Sequence, residues 1–255
     1  MAKWLRFTHQ GKTAFGTLEG DTIRVHSGDM FAGAQPTGET VALKDVKVLT
    51  PCTPSKMIAL WNNFKALAAK LGNPAPTAPL YLLKAPNSFL AHGETIRKPA
   101  SYDGKVVYEG ELGIVIGKRA HAVSEADAPK YIFGYTIVND VTAAEIINAD
   151  KTFAQWVRAK SFDTFGVFGP VIETDVDPMT LSIKTVLNGD ERQNYPVNDC
   201  FYSPAQLVSL ISQDLTLEPG DVIAIGTSVG VGSMKPGSDV SVTIEGIGTL
   251  ANRYE

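Results

Sequence analysis

Three acidic residues, Glu109, Glu111 and Asp140, are the best candidates for chemistry in this chain. Glu109 and Glu111 stand two apart at the start of an apolar run, so the period of a β-strand would place both carboxylates on one face. Like charges at that spacing repel each other and need a proton or a cation in a partly buried place. Asp140 ends a second apolar run and can converge with the pair from a neighbouring strand. Oxygen ligands of this kind suit Mg²⁺ or Mn²⁺ and leave positions open for substrate oxygens.

Two other arrangements stay open for these acids on spacing alone. An isolated Glu-x-Glu pair is typical of a solvated edge strand, and three converging acids can also form a purely structural cluster. The four histidines show no ligand spacing, and the two cysteines, Cys52 and Cys200, are far apart. The cysteines therefore indicate neither a zinc finger nor a disulfide framework, and they fit a reducing compartment.

The composition is that of an ordinary globular protein. The chain has 255 residues, of which 44% are apolar and 20% are charged, and this length allows a large domain with a small appendage. A net charge of −4 without a basic cluster argues against nucleic acid as a partner. No run approaches the roughly 18 apolar residues of a membrane span, and the start lacks the apolar core of a signal peptide. We therefore expect a cytoplasmic protein without membrane contact.

Short strand-like runs separated by turns must position the acids. Residues 1–50 are expected to form a small β-rich N-terminal domain, followed after a proline-marked boundary by a larger domain at residues 51–255. Pro-Gly turns in the second half favour antiparallel connections and predict an α+β, mostly β fold. Helical spacing occurs at residues 62–71, 124–130 and 204–213, and strand patterns occur at residues 56–61, 81–84, 106–116, 131–138, 181–187, 222–225 and 240–244.

Seven segments, in order along the chain, resemble motifs of the fumarylacetoacetate hydrolase (FAH) family. They are YEGEL (108–112), VIGK (115–118), FGYT (133–136), VNDV (138–141), KSFDTF (160–165), LEPGDV (217–222) and IEGIGTL (244–250). The resemblance covers residues 56–255 and implies an FAH-type mixed β-roll or sandwich core, usually assembled as a homodimer. The chain is similar to isomerase-like and acylpyruvate hydrolase-like members that act in aromatic catabolism.

The resemblance also implies roles for the acids and for one lysine. Positions matching Glu109, Glu111 and Asp140 hold Mg²⁺ or Mn²⁺ in the family, whose substrates are small 2-oxo or 2,4-dioxo acids that chelate the ion. The ion acts as a Lewis acid and stabilises an enolate while a C–C or C–H bond breaks. Lys160 matches a lysine that reaches the substrate or orients the group on the metal. Lys160 and Glu111 are therefore the expected catalytic residues.

Three further positions match residues that bind substrate in the family. Gly226 and Thr227 resemble a Gly-Thr turn whose backbone N–H and hydroxyl groups hold a substrate carboxylate. Relatives often continue this turn with proline, whereas this chain continues with serine. Lys84 matches a lysine after a short strand, where substrate binding and a structural role are both open.

The chain departs from the family on the helix expected at residues 62–71. Hydrolytic and decarboxylating relatives carry a His-x-x-Glu pair there, and Leu67 and Lys70 stand at the two positions. Because a leucine cannot act as the general base that activates water, the proton-transfer pair is absent. Lys70 is an expected substrate-binding residue, and whether it or another residue replaces the missing base stays open.

A second departure follows Asp140. Relatives carry an arginine and a glutamine where this chain has Ala144 and Ile147, so two polar substrate contacts are missing. We expect a more apolar pocket, or one that recruits Arg158 or Glu145 instead.

The missing His-x-x-Glu pair and the missing polar contacts favour some reactions over others. Isomerisation, tautomerisation or decarboxylation through a metal-stabilised enolate tolerates the loss of the pair better than hydrolysis does. The alternative within the family is a C–C bond hydrolase of the acylpyruvate or fumarylpyruvate type. The alternative from another class is a non-catalytic, metal-dependent 2-oxo acid binder.

Overall fold

A computed structural model describes residues 2–255 and shows an α+β protein in which strands predominate, as predicted. The strands are β1 (Lys3–His9), β2 (Lys12–Glu19), β3 (Thr22–Ser27), β4 (Gln35–Ala42), β5 (Lys47–Val48), β6 (Met57–Trp61), β7 (Leu80–Lys84), β8 (Phe89–Leu90), β9 (Thr95–Ile96), β10 (Val106–Tyr108), β11 (Gly110–Ile116), β12 (Ile132–Asp140), β13 (Thr142–Ala143), β14 (Gly166–Glu173), β15 (Ser182–Leu187), β16 (Asp190–Pro196), β17 (Val222–Ala224), β18 (Gly232–Met234), β19 (Ser238–Ile244) and β20 (Gly248–Tyr254). The α-helices are α1 (Lys65–Leu71), α2 (Trp156–Lys160) and α3 (Pro204–Asp214).

A large mixed sheet carries the centre of the molecule. Its strand order is β4-β3-β2-β1-β14-β12-β11-β17-β6-β7, with β5 paired to β1 and β8 paired to β14. Every residue of β11 is buried, because this strand lies inside the sheet with packed layers on both faces. β6 pairs with β17 in parallel, while β11 and β12 are antiparallel neighbours.

A second sheet packs against the first and closes the core. Its strand order is β16-β15-β19-β20-β9, and a small sheet β13-β10-β18 lies beside it. Leu112 and Ile137 of the large sheet share one buried apolar cluster with Ile183, Val242 and Leu250 of the second sheet. Sheet-on-sheet burial of this kind supplies the main apolar stabilisation of the fold. In residues 2–255, no helix combines the length and apolar composition that crossing a bilayer requires.

The N-terminal strands extend the large sheet. β1 pairs with β14 through Lys3 opposite Glu173 and Trp4 opposite Ile172. Leu5 and Phe7 of β1 and Ile23 of β3 are buried in the same apolar cluster as the two main sheets. The strands of residues 1–50 are thus packed directly onto the rest of the chain.

Two elements near the acids differ from their predicted bounds. The helix expected at residues 62–71 begins at Lys65, because Asn62 adopts the left-handed conformation with φ 57° and turns the chain sharply after β6. The strand expected at residues 106–116 is interrupted at Glu109, where the chain passes from β10 in the small sheet to β11 in the large one. Glu109 and Glu111 therefore do not lie on one continuous strand, and the alternation of side chains along a strand does not explain how they are placed.

Two other helical segments differ from what the sequence predicts. Residues 124–130 form a turn and then a short 3₁₀ helix at Ala128–Tyr131 rather than an α-helix. The five-residue helix α2 was missed, because a single turn of helix has too few positions to show a period.

Candidate metal centre

The antiparallel pairing of β11 with β12 brings the three acids together. Asp140, the last residue of β12, donates its backbone N–H to the carbonyl oxygen of Glu109 at 2.9 Å. The backbone N–H of Glu109 in turn donates to Oδ1 of Asn139 at 3.0 Å. One carboxylate oxygen each of Glu109, Glu111 and Asp140 lies within 4.8 Å of the others. The fold thus gathers three oxygen donors at the spacing a divalent ion requires.

Glu111 is the least satisfied of the three carboxylates. Its side chain is fully buried, Oε2 accepts the backbone N–H of Gly226 at 2.8 Å, and Oε1 has no hydrogen-bond partner among residues 2–255. Burial raises the pKa of Glu111 well above its usual value, and the charges of Asp140 and Glu109 raise it further. A buried oxygen left unpaired is costly, and a cation at this position would remove that cost. The donor set therefore fits a hard divalent ion.

Two buried lysines compensate most of the negative charge. The Nζ of Lys160 donates to Oε2 of Glu109 at 2.9 Å and to Oδ2 of Asp140 at 2.5 Å. The Nζ of Lys84 donates to Oδ1 of Asp140 at 2.5 Å and to the carbonyl oxygen of Val141 at 3.2 Å. With all five side chains charged, three carboxylates face two ammonium groups. One negative charge remains in surplus.

The same contacts set the protonation of the site. Burial acts to raise the pKa of Asp140, but Lys160 and Lys84 outweigh it and hold that pKa below the usual value. Burial acts to lower the pKa of Lys160, yet the surrounding carboxylates raise it above the ordinary lysine value. The carboxylates therefore hold Lys160 in its protonated, positively charged form.

The Gly226–Thr227 turn forms one wall of the site. Gly226 has φ 94°, and a Cβ there would lie 3.2 Å from the carbonyl oxygen of Leu60, so glycine suits this close approach. The Thr227 hydroxyl donates to the carbonyl oxygen of Gly110 at 3.0 Å and accepts from Nε2 of Gln193 at 2.9 Å. The turn is thus bonded to the strand that carries Glu111. Its role in holding a substrate carboxylate stays a prediction.

A cavity of about 240 Å³ borders the acidic cluster at Glu109. The helix that departs from the family pattern and the metal motif meet there, because Lys70 and Glu109 both line the cavity. The remaining lining is largely apolar and consists of Trp61, Leu67, Leu71, Thr227, Gly230 and Val231. The ring centroids of Trp61 and Trp156 lie 5.1 Å apart with the planes tilted by 47°, which joins the cavity wall to the start of α2. A cavity of this size suits a small ligand.

Two residues considered as replacements for the missing polar contacts lie elsewhere. Arg158 is exposed on α2, and neither it nor Glu145 lines the cavity. Glu145 accepts hydrogen bonds from the Tyr102 hydroxyl and from the backbone N–H of Lys105, the latter at 2.8 Å. The apolar character expected of the pocket is present in its lining.

Three residues that support the site were missed from the sequence. The Thr142 hydroxyl donates to Oε1 of Glu109 at 2.9 Å, and the Tyr195 hydroxyl donates to the carbonyl oxygen of Gly110 at 2.5 Å. Gln193 donates to Thr227, as described above. Thr142 could have been found from its position two residues after Asp140. Gln193 and Tyr195 lie on β16, outside every motif, and carry no such signal.

Comparison with protein-family models matches nearly the whole chain. Residues 56–255 match the family described as "Fumarylacetoacetate (FAA) hydrolase C-terminal", and residues 2–51 match the family described as "Rv2993c-like, N-terminal". The first match covers the acids, the lysines and the Gly226–Thr227 turn.

Individual proteins agree with that match. The chain is 34% identical over 254 residues to the oxaloacetate tautomerase YisK of Bacillus subtilis, covering 92% of this chain and 83% of that protein. The 2-hydroxyhepta-2,4-diene-1,7-dioate isomerase of Mycobacterium marinum is 37% identical with a TM-score of 0.91, over 100% of this chain and 98% of the other. A maleylpyruvate hydrolase of Sphingobium, solved with manganese(II) and pyruvate, is 26% identical with a TM-score of 0.79, over 99% and 98%. The chain therefore belongs to the fumarylacetoacetate hydrolase family of enzymes.

Proposed function

We propose that this protein is a divalent-metal-dependent enzyme that isomerises, tautomerises or decarboxylates a small 2-oxo or 2,4-dioxo acid. The observation that carries the proposal is the buried Oε1 of Glu111, which has no hydrogen-bond partner among residues 2–255, within a cluster of three carboxylates that reaches a small cavity through Glu109. Lys84 and Lys160 compensate two of the three carboxylates, and the third needs a proton or a further cation.

The relatives support the same chemistry. One is named as a tautomerase of oxaloacetate, one as an isomerase of a 2-hydroxy-dienedioate, and one was solved with manganese(II) and pyruvate. These compounds are 2-oxo acids or their enol tautomers, so loss and return of a proton next to the keto group is common to them. Mg²⁺ or Mn²⁺ is accordingly the proposed cofactor.

The residues of the site have separate roles. Glu109, Glu111 and Asp140 would hold the ion, which when bound supplies Lewis-acid stabilisation of negative charge on the enolate oxygen. Lys160 keeps the carboxylates of Glu109 and Asp140 in place and, being protonated, favours the binding of an anionic substrate. The N–H of Gly226 orients the carboxylate of Glu111.

The cavity lining favours proton shifts over hydrolysis. Hydrolysis needs a base that activates water, and the part of the lining that the structure describes contains no histidine and presents Leu67 instead. A C–C bond hydrolase is the second candidate, supported by the similarity to the maleylpyruvate hydrolase. A non-catalytic binder of 2-oxo acids would have the same cavity but no turnover.

Two variants and one substrate test the proposal. We expect Mn²⁺ or Mg²⁺ to raise the melting temperature of the wild type and to activate tautomerisation of oxaloacetate, followed by its enol absorbance. Glu111→Gln should lose both effects, because it removes a ligand charge. The control is Glu173→Gln. Glu173 lies on β14, away from the acidic cluster, and is also a fully buried glutamate with an unpaired oxygen.

Each contrary result identifies another function. Stabilisation by metal and 2-oxo acid without turnover indicates a binder, and metal-dependent cleavage of an acylpyruvate without tautomerisation indicates a hydrolase. A wild type that neither metal stabilises would show that the acids are a structural cluster.

We further propose that the enzyme acts as a cytoplasmic homodimer. Outside the cavity lining, exposed apolar side chains lie on the outer strand β7 at Leu80 and Leu83 and around α2 at Phe153, which is 70% exposed, and Val157, while Leu210 is exposed on α3. Apolar patches of this kind are typical of protein interfaces. Sedimentation velocity should show a dimer that Val157→Asp dissociates, and a monomeric wild type at micromolar concentration would contradict it.

The two buried free thiols suit a reducing compartment, which cell fractionation tests.

A further inference from the structure

The last turn of α1 presents a single cation to the cavity. Leu67, Lys70 and Leu71 share one face of the helix, at spacings of three and four residues, and all three line the cavity above Glu109. The ammonium group of Lys70 makes no hydrogen bond or ion pair with any other residue in the described range 2–255. It is the only positively charged residue in the lining that the structure describes.

The helix is held firmly at both ends. Phe64, which precedes α1, is fully buried with its ring 5.0 Å from that of Tyr195. Oδ2 of Asp199 accepts the backbone N–H of Ala66 at 2.9 Å, satisfying a free donor of the first turn. Gly72 closes the helix in the left-handed conformation and donates its N–H to the carbonyl oxygen of Ala69 at 3.2 Å. Lys70 is therefore presented from a fixed support and not from a loose loop.

The charges at the site determine what Lys70 can recognise. Three carboxylates and two buried lysines leave one surplus negative charge, and a divalent ion would convert it to one surplus positive charge. The carboxylate of one 2-oxo acid balances that charge. A second carboxylate on the same substrate would need another cation, and Lys70 is the residue that offers it across the cavity.

We propose that Lys70 determines specificity by pairing with the second carboxylate of a short dicarboxylic 2-oxo acid. This inference rests on the proposed function, because it assumes that the other carboxylate lies at the acidic cluster. The cavity of about 240 Å³ limits the distance between the two carboxylates and favours a short substrate. Lys70 is exposed at the cavity rim, so solvent partly screens the pair, while Trp61 and Leu67 supply apolar walls beside it.

A matched pair of substrates tests the assignment. Oxaloacetate and 2-oxobutanoate have the same chain length, and only oxaloacetate carries a second carboxylate. With the protein saturated with Mn²⁺, kcat/KM for exchange of the C3 protons in D₂O is measured by NMR, after subtraction of the rate without protein. In Lys70→Gln we expect the ratio of kcat/KM for the diacid to that for the monoacid to fall by about tenfold, as for loss of one charged hydrogen bond.

Two further variants separate charge recognition from other effects. Lys70→Arg should retain most of the ratio because it keeps the positive charge. Lys65→Gln removes a lysine from the same helix at an exposed position outside the cavity lining and should leave the ratio unchanged. In Lys70→Gln the loss should appear mainly as a higher KM for oxaloacetate, because a binding contact is removed.

The outcomes that overturn the inference are distinct. An unchanged ratio in Lys70→Gln shows that the second carboxylate lies elsewhere. An equal loss for both substrates, with an altered pH profile, shows that Lys70 moves a proton instead. Exchange of neither substrate by the wild type with Mn²⁺ refutes the proposed function itself and the inference with it, before any variant is compared.

Discussion

The three acids of the candidate metal centre are held by unequal partners. Asp140 bonds to two lysines, Glu109 bonds to one lysine and to the Thr142 hydroxyl, and Glu111 bonds to a single backbone N–H. The pKa of Asp140 is accordingly held below its usual value, whereas those of Glu109 and Glu111 are raised, first by burial. Glu111 therefore binds a proton most tightly when the metal is absent.

This difference predicts how metal affinity depends on pH. A carboxyl group whose pKa is raised on folding stabilises the folded state below its ordinary pKa of 4.5, and that contribution is lost as the pH rises through the raised value. Since the ion must displace the proton, we expect Mn²⁺ to bind more tightly and to release fewer protons as the pH rises through the raised pKa of Glu111. Calorimetry in buffers of different ionisation enthalpy measures both quantities. A pH-independent affinity without proton release would contradict this account of Glu111.

At the scale of elements, the turn between β6 and α1 positions the cavity wall. Asn62 has φ 57°, and its side-chain amide donates to the carbonyl oxygen of Pro74 at 3.0 Å while its Oδ1 accepts from Asn73 at 3.2 Å. One side chain thus fixes both the direction of the chain into α1 and the loop that follows α1.

Two substitutions of Asn62 should distinguish the stability lost through backbone strain from the stability lost with the hydrogen bonds. We expect Asn62→Val to lower the free energy of unfolding by about 2–3 kcal/mol, because a β-branched residue is strained in the left-handed region and both side-chain bonds are lost. Asn62→Gly loses the same bonds without the strain and should cost clearly less. Urea denaturation compares the two variants, and equal losses would show that strain plays no part.

The sequence predicts the elements around the site better than the contacts within it. The end of α1 at Gly72 and the positions of β12, β15 and β19 follow from apolar periods and turn residues, which act locally. The interruption at Glu109 depends on the change of sheet between β10 and β11, which no local pattern records. Gln193 and Tyr195 reach the site only through the pairing of distant strands, so their contribution could not be predicted.

At the scale of the whole molecule, the N-terminal strands share the core of the larger part. We retain residues 1–50 as a proposed domain, but Leu5, Phe7 and Ile23 are buried in the cluster that also holds Leu112 and Val242. β1 covers one edge of β14. The N-terminal strands and the larger part are therefore expected to stabilise each other and to unfold together.

Truncation tests this dependence. Residues 51–255 alone should be aggregated or only marginally stable, because removing the N-terminal strands exposes the paired edge of β14 and the apolar side chains beneath it. Co-expression with residues 1–50 as a separate chain should restore a soluble complex with the wild-type circular dichroism. A cooperative thermal transition of the isolated fragment at the wild-type temperature would show that the larger part folds alone.

The contact between Trp61 and Trp156 has an optical consequence. The chain has three tryptophans, and the third, Trp4, packs against Phe15, His26 and Phe133 near the N-terminal strands. Two indoles with centroids 5.1 Å apart and tilted by 47° couple their electronic transitions, which gives a paired band in circular dichroism. Because Trp61 lines the cavity, we expect a bound ligand to change the amplitude of that band. The enzyme thus contains its own chromophore for titrating colourless ligands.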